Sequence, residues 1–228
     1  MNMKQRTTRR VVLSGGGAAI AGFAMGSTNA AAQAPATSFR PARHQQDEWL
    51  DRIPGRHRTF VDCAPVAGAA EGMLYANNLY VANRNGYQLN ENDVAVVVCL
   101  RHFATVFAYN DAMWGKYGKA ISNLVQFTDP KTKQPPTTNL LNSADYGMSL
   151  PNFGNTIASV VKRGTHFAVC DMATHFFAEQ LGSIVKADPQ AVYKELVSNL
   201  IPNSHLFAAG VVATNRAQEY GYTLLTAL

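Results

Sequence analysis

Cysteine is scarce in this chain: Cys63, Cys99 and Cys170 are the three in 228 residues. Three are too few for a disulfide-built scaffold, and an odd number leaves at least one without an intrachain partner. No two of them form a C-x-x-C pair, which removes the usual basis for a thiol-disulfide oxidoreductase. Phosphate-binding glycine motifs are missing as well. The turn Asp62-Cys63-Ala64-Pro65-Val66-Ala67-Gly68 lacks the G-x-G-x-x-G spacing, the tight cluster Gly15 to Gly17 precedes any strand, and no glycine-lysine-serine loop occurs. A serine-centred nucleophile elbow is also absent, so the common nucleotide and hydrolase readings lack their evidence.

A membrane-length apolar run is lacking too. Val11 to Met25 is apolar and rich in glycine and alanine, but a spanning helix needs about 20 apolar residues. The formal charge of +5 is concentrated in Lys4, Arg6, Arg9 and Arg10, and without them sixteen basic side chains face fifteen acidic ones. No Lys/Arg stripe interleaved with aromatics remains, which argues against a nucleic-acid partner. Thr8-Arg9-Arg10 before Val11-Val12-Leu13 resembles a twin-arginine export signal, and Ala30 to Ala32 offers a small-residue cleavage site. A general secretory signal is the alternative. The expectation is a signal over residues 1–32 and a periplasmic mature protein without stable membrane insertion.

Residues 33–57 read as a flexible leader and arm, with a short helix from Gln45 to Ile53 ended by Pro54-Gly55. The folded domain is expected over residues 58–228. Five strands are predicted, Thr59 to Cys63, Asp93 to Leu100, His166 to Cys170, Ser204 to Ala209 and Gly221 to Leu225. Helices are predicted between them over Gly68 to Asn85, Ala108 to Lys119, Phe153 to Arg163, Met172 to Leu181, Asp188 to Asn199 and Val211 to Tyr220. Gly164 and Gly182 are read as helix stops. The near-continuous apolar run Val94 to Leu100 implies burial on both faces, as in the middle of a parallel sheet. Thr128 to Leu141, with Pro135-Pro136, reads as a surface excursion without regular structure. Alternation of strand and helix implies an α/β three-layer sandwich with a mostly parallel five-stranded sheet.

Cys170 is the leading candidate for chemistry. It ends a strand and precedes a helix, which places it at the carboxyl edge where open α/β sheets bind ligands. Free amides of a helix start favour negative charge, whereas Asp171 beside it opposes that by repulsion. Packing alone is the competing role for Cys170, as it is for Cys63 and Cys99. Arg101 and His102 follow the most apolar strand, with Arg101 suited to an anion or thiolate and His102 to proton transfer, or else both simply solvate a strand end. Asn215 and Arg216 fall near the same edge. Asn110, Asp111 and Lys116 are most simply helix-start and solvent residues. His166 and Cys170 lie four strand positions apart, about 3.3 Å each, too far to share a tetrahedral ion, and Asp171 with His175 makes only a surface pair. Neither a metal nor a cofactor is called for.

The stretch Gly164-Thr165-His166-Phe167-Ala168-Val169-Cys170 before a helix resembles the central strand and cysteine of the DsrE/DsrF-like sulfur-relay family. Leu200-Ile201-Pro202-Asn203, Gly210-Val211-Val212, Gln218-Glu219 and Tyr220-Gly221-Tyr222 resemble its carboxyl-terminal unit. The resemblance covers about Arg58 to Leu225. It implies a homo-oligomeric α/β protein carrying sulfane sulfur as a persulfide on the matching residue, Cys170, and exchanging it with a donor or acceptor thiol protein. Two functions stand side by side: a periplasmic sulfur-handling or thiol-relay protein using Cys170, supported by Arg101 and His102, and a non-catalytic accessory or small-ligand-binding oligomer with a structural cysteine.

Overall fold

The computed structural model describes residues 40–228; the expected signal and the first part of the leader lie outside the described residues. Five strands form one sheet, β1 (His57–Cys63), β2 (Val94–Leu100), β3 (His166–Cys170), β4 (Ser204–Phe207) and β5 (Thr223–Ala227), in the order β4-β3-β2-β1-β5. All four pairings are parallel. Among the described residues the α-helices are α1 (Trp49–Arg52), α2 (Val66–Tyr87), α3 (Asp111–Val125), α4 (Ile157–Lys162), α5 (Asp171–Val185), α6 (Pro189–Ser198) and α7 (Gly210–Glu219). The expected parallel five-stranded α/β sheet with flanking helices is therefore present.

Strand order dictates which face each helix takes. β1 to β4 are laid down successively in one direction, and right-handed crossovers put α2 to α6 on a single face. That face joins Val61, Val96, Val98, Phe167 and Val169 to Met73, Tyr80, Ile157, Phe177 and Leu196. The link from β4 to β5 runs back across the sheet, so α7 lands on the opposite face, where Ala213 and Ala217 meet Phe60, Val97, Cys99, Ala168 and Phe207. Every residue of β2 is buried, as its unbroken apolar run requires.

One helix cannot cover five strands, and the segment before β1 fills the remainder of that second face. Leu50 is wholly buried and Ile53 nearly so, contributing about 2 kcal/mol each. The Tyr222 hydroxyl donates to the Leu50 carbonyl at 2.9 Å, and the Arg58 guanidinium donates to the carbonyls of Leu50 and Ile53. The Trp49 indole lies flat on the His205 imidazole, 3.8 Å between centroids. From Asp47 to Ile53, the part expected to be a flexible leader and arm packs as the outer layer of the sandwich, while residues 40–46 are exposed.

Three local departures from the expected elements have physical causes. α3 begins at Asp111 rather than Ala108 because the Asn110 side chain accepts from the Ala112 and Met113 amides, and His102–Ala108 forms a tighter 3₁₀ turn instead. Gly182 does not stop α5, which runs on to Val185. A Cβ at Gly182 would stand 2.9 Å from the Ala187 carbonyl oxygen, so this glycine admits the chain that turns into α6. The proline-rich excursion is irregular as expected, yet its end is internal: buried Asn139 donates to the Phe107 and Tyr109 carbonyls, at 2.9 Å each, and Leu140 and Leu141 join the core.

Candidate functional site

The reversal of direction creates a crevice. β3 leads to α5 on one face and β4 leads to α7 on the other, so their carboxyl ends part between them; open α/β folds hold ligands at such a switch point. A cavity of about 440 Å³ opens there, and Cys170, Arg101 and His102 all line it. Its other walls are apolar, from Phe103, Met172, Phe176, Phe177 and Val211.

Cys170 is 7% exposed and its sulfur accepts two backbone hydrogen bonds. One comes from Ala173, three residues along its own helix, at 3.4 Å; the other comes from Gly210, the first residue of α7, at 3.1 Å. A single sulfur thus caps two helices. Ala209, which precedes α7, has no side chain able to do so. Neutral thiols accept hydrogen bonds weakly, whereas two amides at the positive ends of two helices suit a sulfur bearing negative charge. Gly210 is required for this approach, since a Cβ there would stand 2.8 Å from Arg101 Cδ and closer still to its Cβ.

Arg101 is held by a partner that the sequence reading did not single out. Its Nε and Nη2 donate to the two carboxylate oxygens of Asp62 at 2.6 and 2.9 Å, a bidentate pair with the carboxylate buried. The hydrogen bonds that Arg101 donates to Asp62 push the guanidinium pKa further up, so Arg101 stays charged. Asp62 pairs in register with Cys99, and Arg101 lies two positions past Cys99, so both side chains leave the sheet on the α7 face. The signal for this pair was available: a carboxylate one residue from the end of an apolar strand needs a cation. The Ala173 amide belongs to the helix start that follows Cys170 in sequence, but nothing local foretold the Gly210 amide, which reaches the sulfur only through the crossing of β4.

His102 is exposed at the mouth, stacked on Phe103 at 4.2 Å, with φ +53. Asp171 turns away from the cavity, its carboxylate accepting from the Tyr193 hydroxyl at 2.7 Å and lying 3.7 Å from His175. Arg216 faces Asp47 of the outer layer and Glu219 instead of the cavity. Cys63 and Cys99 are wholly buried on opposite faces, and burial pushes both thiols well up, which keeps them neutral. All three cysteines are free.

No protein-family model, curated protein or solved structure matches this chain.

His166 Nδ1 and His205 Nε2 lie 3.0 Å apart beneath Trp49. Among the described residues no group of three or more His, Cys, Asp or Glu side chains is placed to hold a metal ion. No helix among them is long and apolar enough to cross a membrane.

Proposed function

We propose that this chain is a sulfur-handling protein of the DsrE/DsrF-like kind, exported to the periplasm by its twin-arginine segment, that carries sulfane sulfur as a persulfide on Cys170. The observation that carries the proposal is the pair of amides, Gly210 and Ala173, aimed at a sulfur that borders a cavity. Cys63 and Cys99 are sealed from solvent, which leaves Cys170 as the exchange position.

Loading is a displacement. The Cys170 thiolate attacks the outer sulfur of a persulfide donor, the bond from Sγ to that sulfur forms, and the donor's own S–S bond breaks with its electron pair leaving on the donor thiolate. One sulfur atom moves, with no external oxidant. Arg101 supplies positive charge beside the resulting anionic persulfide, and His102 at the mouth supplies a proton to the leaving thiolate. Transfer to an acceptor thiol is the same displacement in the other direction. Self-association belongs with this function: among the described residues no strand pairs with the outer edge of β5, and Leu224, Leu225 and Leu228 expose their side chains beside it.

A second function has its own observation. Because Cys170 caps two helices, its sulfur also has a purely structural use, and the cavity then serves only to bind a small ligand. Exposure of the protein to inorganic polysulfide, followed by intact-mass and site-mapping spectrometry, separates the two. Addition of sulfur at Cys170, lost in Cys170→Ser and passed on to an added thiol, is expected. A Cys170 that takes up neither sulfur nor iodoacetamide in the folded protein would leave the binding function standing alone.

A further inference from the structure

The cavity is far larger than the sulfur atom it is proposed to hold. A single sulfur atom on Cys170 fills a small part of about 440 Å³, a volume in the range that holds small organic ligands. Its walls also differ from what a hydrophilic thiol needs. Phe103, Phe176, Phe177 and Val211 offer no hydrogen bonds from their side chains, so the several charged and amide groups of glutathione, or the ammonium and carboxylate of free cysteine, would lose water there uncompensated. The apolar surface continues outward: Met172 is 68% exposed, Val211 61% and Phe176 46%. Large apolar side chains gathered in water at the rim of a cavity mark a binding surface.

Besides His102 at the exposed mouth, one charged anchor interrupts these walls. Asp62 occupies Nε and Nη2 of Arg101, and among the described residues Nη1 has no protein acceptor. The pairing fixes the guanidinium in place and leaves it one side for one anionic group. The starts of α5 and α7, converging on Cys170, bias the same region toward negative charge.

We infer that the compound exchanging sulfur with Cys170 is a low-molecular-weight thiol with an apolar, ring-sized body and a single anionic group, bound within the cavity between α5 and α7. The exchange rests on the persulfide function proposed above. The ligand thiolate attacks the outer sulfur of the Cys170 persulfide, a new S–S bond forms on the ligand, and the bond to Sγ breaks as Sγ leaves with the electron pair. The apolar body covers the Phe176 and Val211 side chains, and its anion lies against Arg101.

The test uses the full chain, loaded at Cys170 with inorganic polysulfide and checked by mass, then offered four thiols: para-mercaptobenzoate, neutral para-toluenethiol, cysteine and glutathione. Rates are divided by those of each thiol with a free small-molecule persulfide, which removes intrinsic reactivity. Transfer to para-mercaptobenzoate is expected to saturate, with kcat/KM about tenfold above cysteine and glutathione and several-fold above para-toluenethiol, as apolar contact and one ionic anchor predict. Val211→Trp, at an exposed rim position, is expected to raise KM for para-mercaptobenzoate about tenfold and to narrow its advantage over cysteine. A calorimetric titration of Cys170→Ser with para-toluate reads the binding without the chemistry, and heat of binding is expected. Equal normalised rates for all four thiols, or transfer only to a protein thiol, would overturn the ligand class while leaving the persulfide function intact. Absence of sulfur on Cys170 in the mass spectrum would remove the function and the exchange together.

Discussion

The Gly210 amide reaches the Cys170 sulfur at 3.1 Å, joining the first turn of the last helix to the end of the third strand, 40 residues earlier in the chain. This contact closes the crevice on one side, and the chemistry and the local stability share it.

Replacing the sulfur separates those two contributions. Cys170→Ala leaves the Ala173 and Gly210 amides without their acceptor and is expected to cost about 1–2 kcal/mol in denaturant unfolding. Serine keeps an acceptor in an N-cap position it favours, so Cys170→Ser is expected to stay within about 0.5 kcal/mol of the parent while losing all sulfur uptake. If alanine and serine unfold at the same denaturant concentration, the sulfur is not a cap.

Gly210→Ala drives a methyl group into Arg101. Overpacking of this sort costs about 1–3 kcal/mol, and α7 is expected to shift its first turn away from Cys170, slowing alkylation of that thiol by iodoacetamide. Gly115 in α3 is the control. A Cβ there meets the Thr137 carbonyl oxygen at 3.6 Å, an ordinary contact, so Gly115→Ala is expected to stabilise by roughly 0.5 kcal/mol through helix propensity.

Acid is expected to weaken the outer layer through the His166–His205 pair. Burial, followed by the proximity of His166, lowers the His205 pKa to about 4, and burial lowers that of His166 as well. Between the ordinary histidine value and about pH 4, the unfolded chain binds protons that the folded chain refuses, so stability present at neutral pH falls as pH drops through this window. His205 is only half-buried, and solvent screening reduces the effect to about 1 kcal/mol at about pH 4.5. Melting temperatures measured across this range should decline less in His205→Phe, which retains the stack on Trp49. An equal decline in both proteins would assign the acid sensitivity elsewhere.

Asn139 anchors the proline-rich excursion. Asn139→Leu leaves the buried carbonyls of Phe107 and Tyr109 without donors, and a loss of about 2–4 kcal/mol is expected in chemical denaturation. Substitution of exposed Lys131 nearby should change stability by less than about 0.5 kcal/mol.

Which features the sequence revealed depends on how far apart in the chain their causes lie. Val94 to Leu100 announced a central strand because burial on both faces leaves a continuous apolar run, and Cys170 announced an edge position because a strand ends there and a helix begins. Arg101 and His102 were legible for the same local reason. By contrast, Trp49, Leu50 and Ile53 resembled an arm because nothing near them in sequence shows that α7 alone must cover a face of the sheet. Gly182 carried the composition of a helix stop, but a close approach by Ala187 decides its use. The Asp62–Arg101 pair spans 39 residues and the Gly210–Cys170 contact spans 40; both depend on the strand order, which periodicity does not encode.

That strand order also sets a schedule for folding. β1 is formed near the start of the described chain but lies between β2 and β5, and β5 is the last strand. Tyr222, just before β5, holds Leu50 across a separation of 172 residues. Both the second neighbour of β1 and the Tyr222 anchor of the outer layer are made only after β1 to β4 and α7. Contacts of such long separation form slowly, so a chain lacking residues 222–228 keeps most of its core and the stack of Trp49 on His205, while Leu50 loses the Tyr222 hydroxyl and β1 loses its second neighbour.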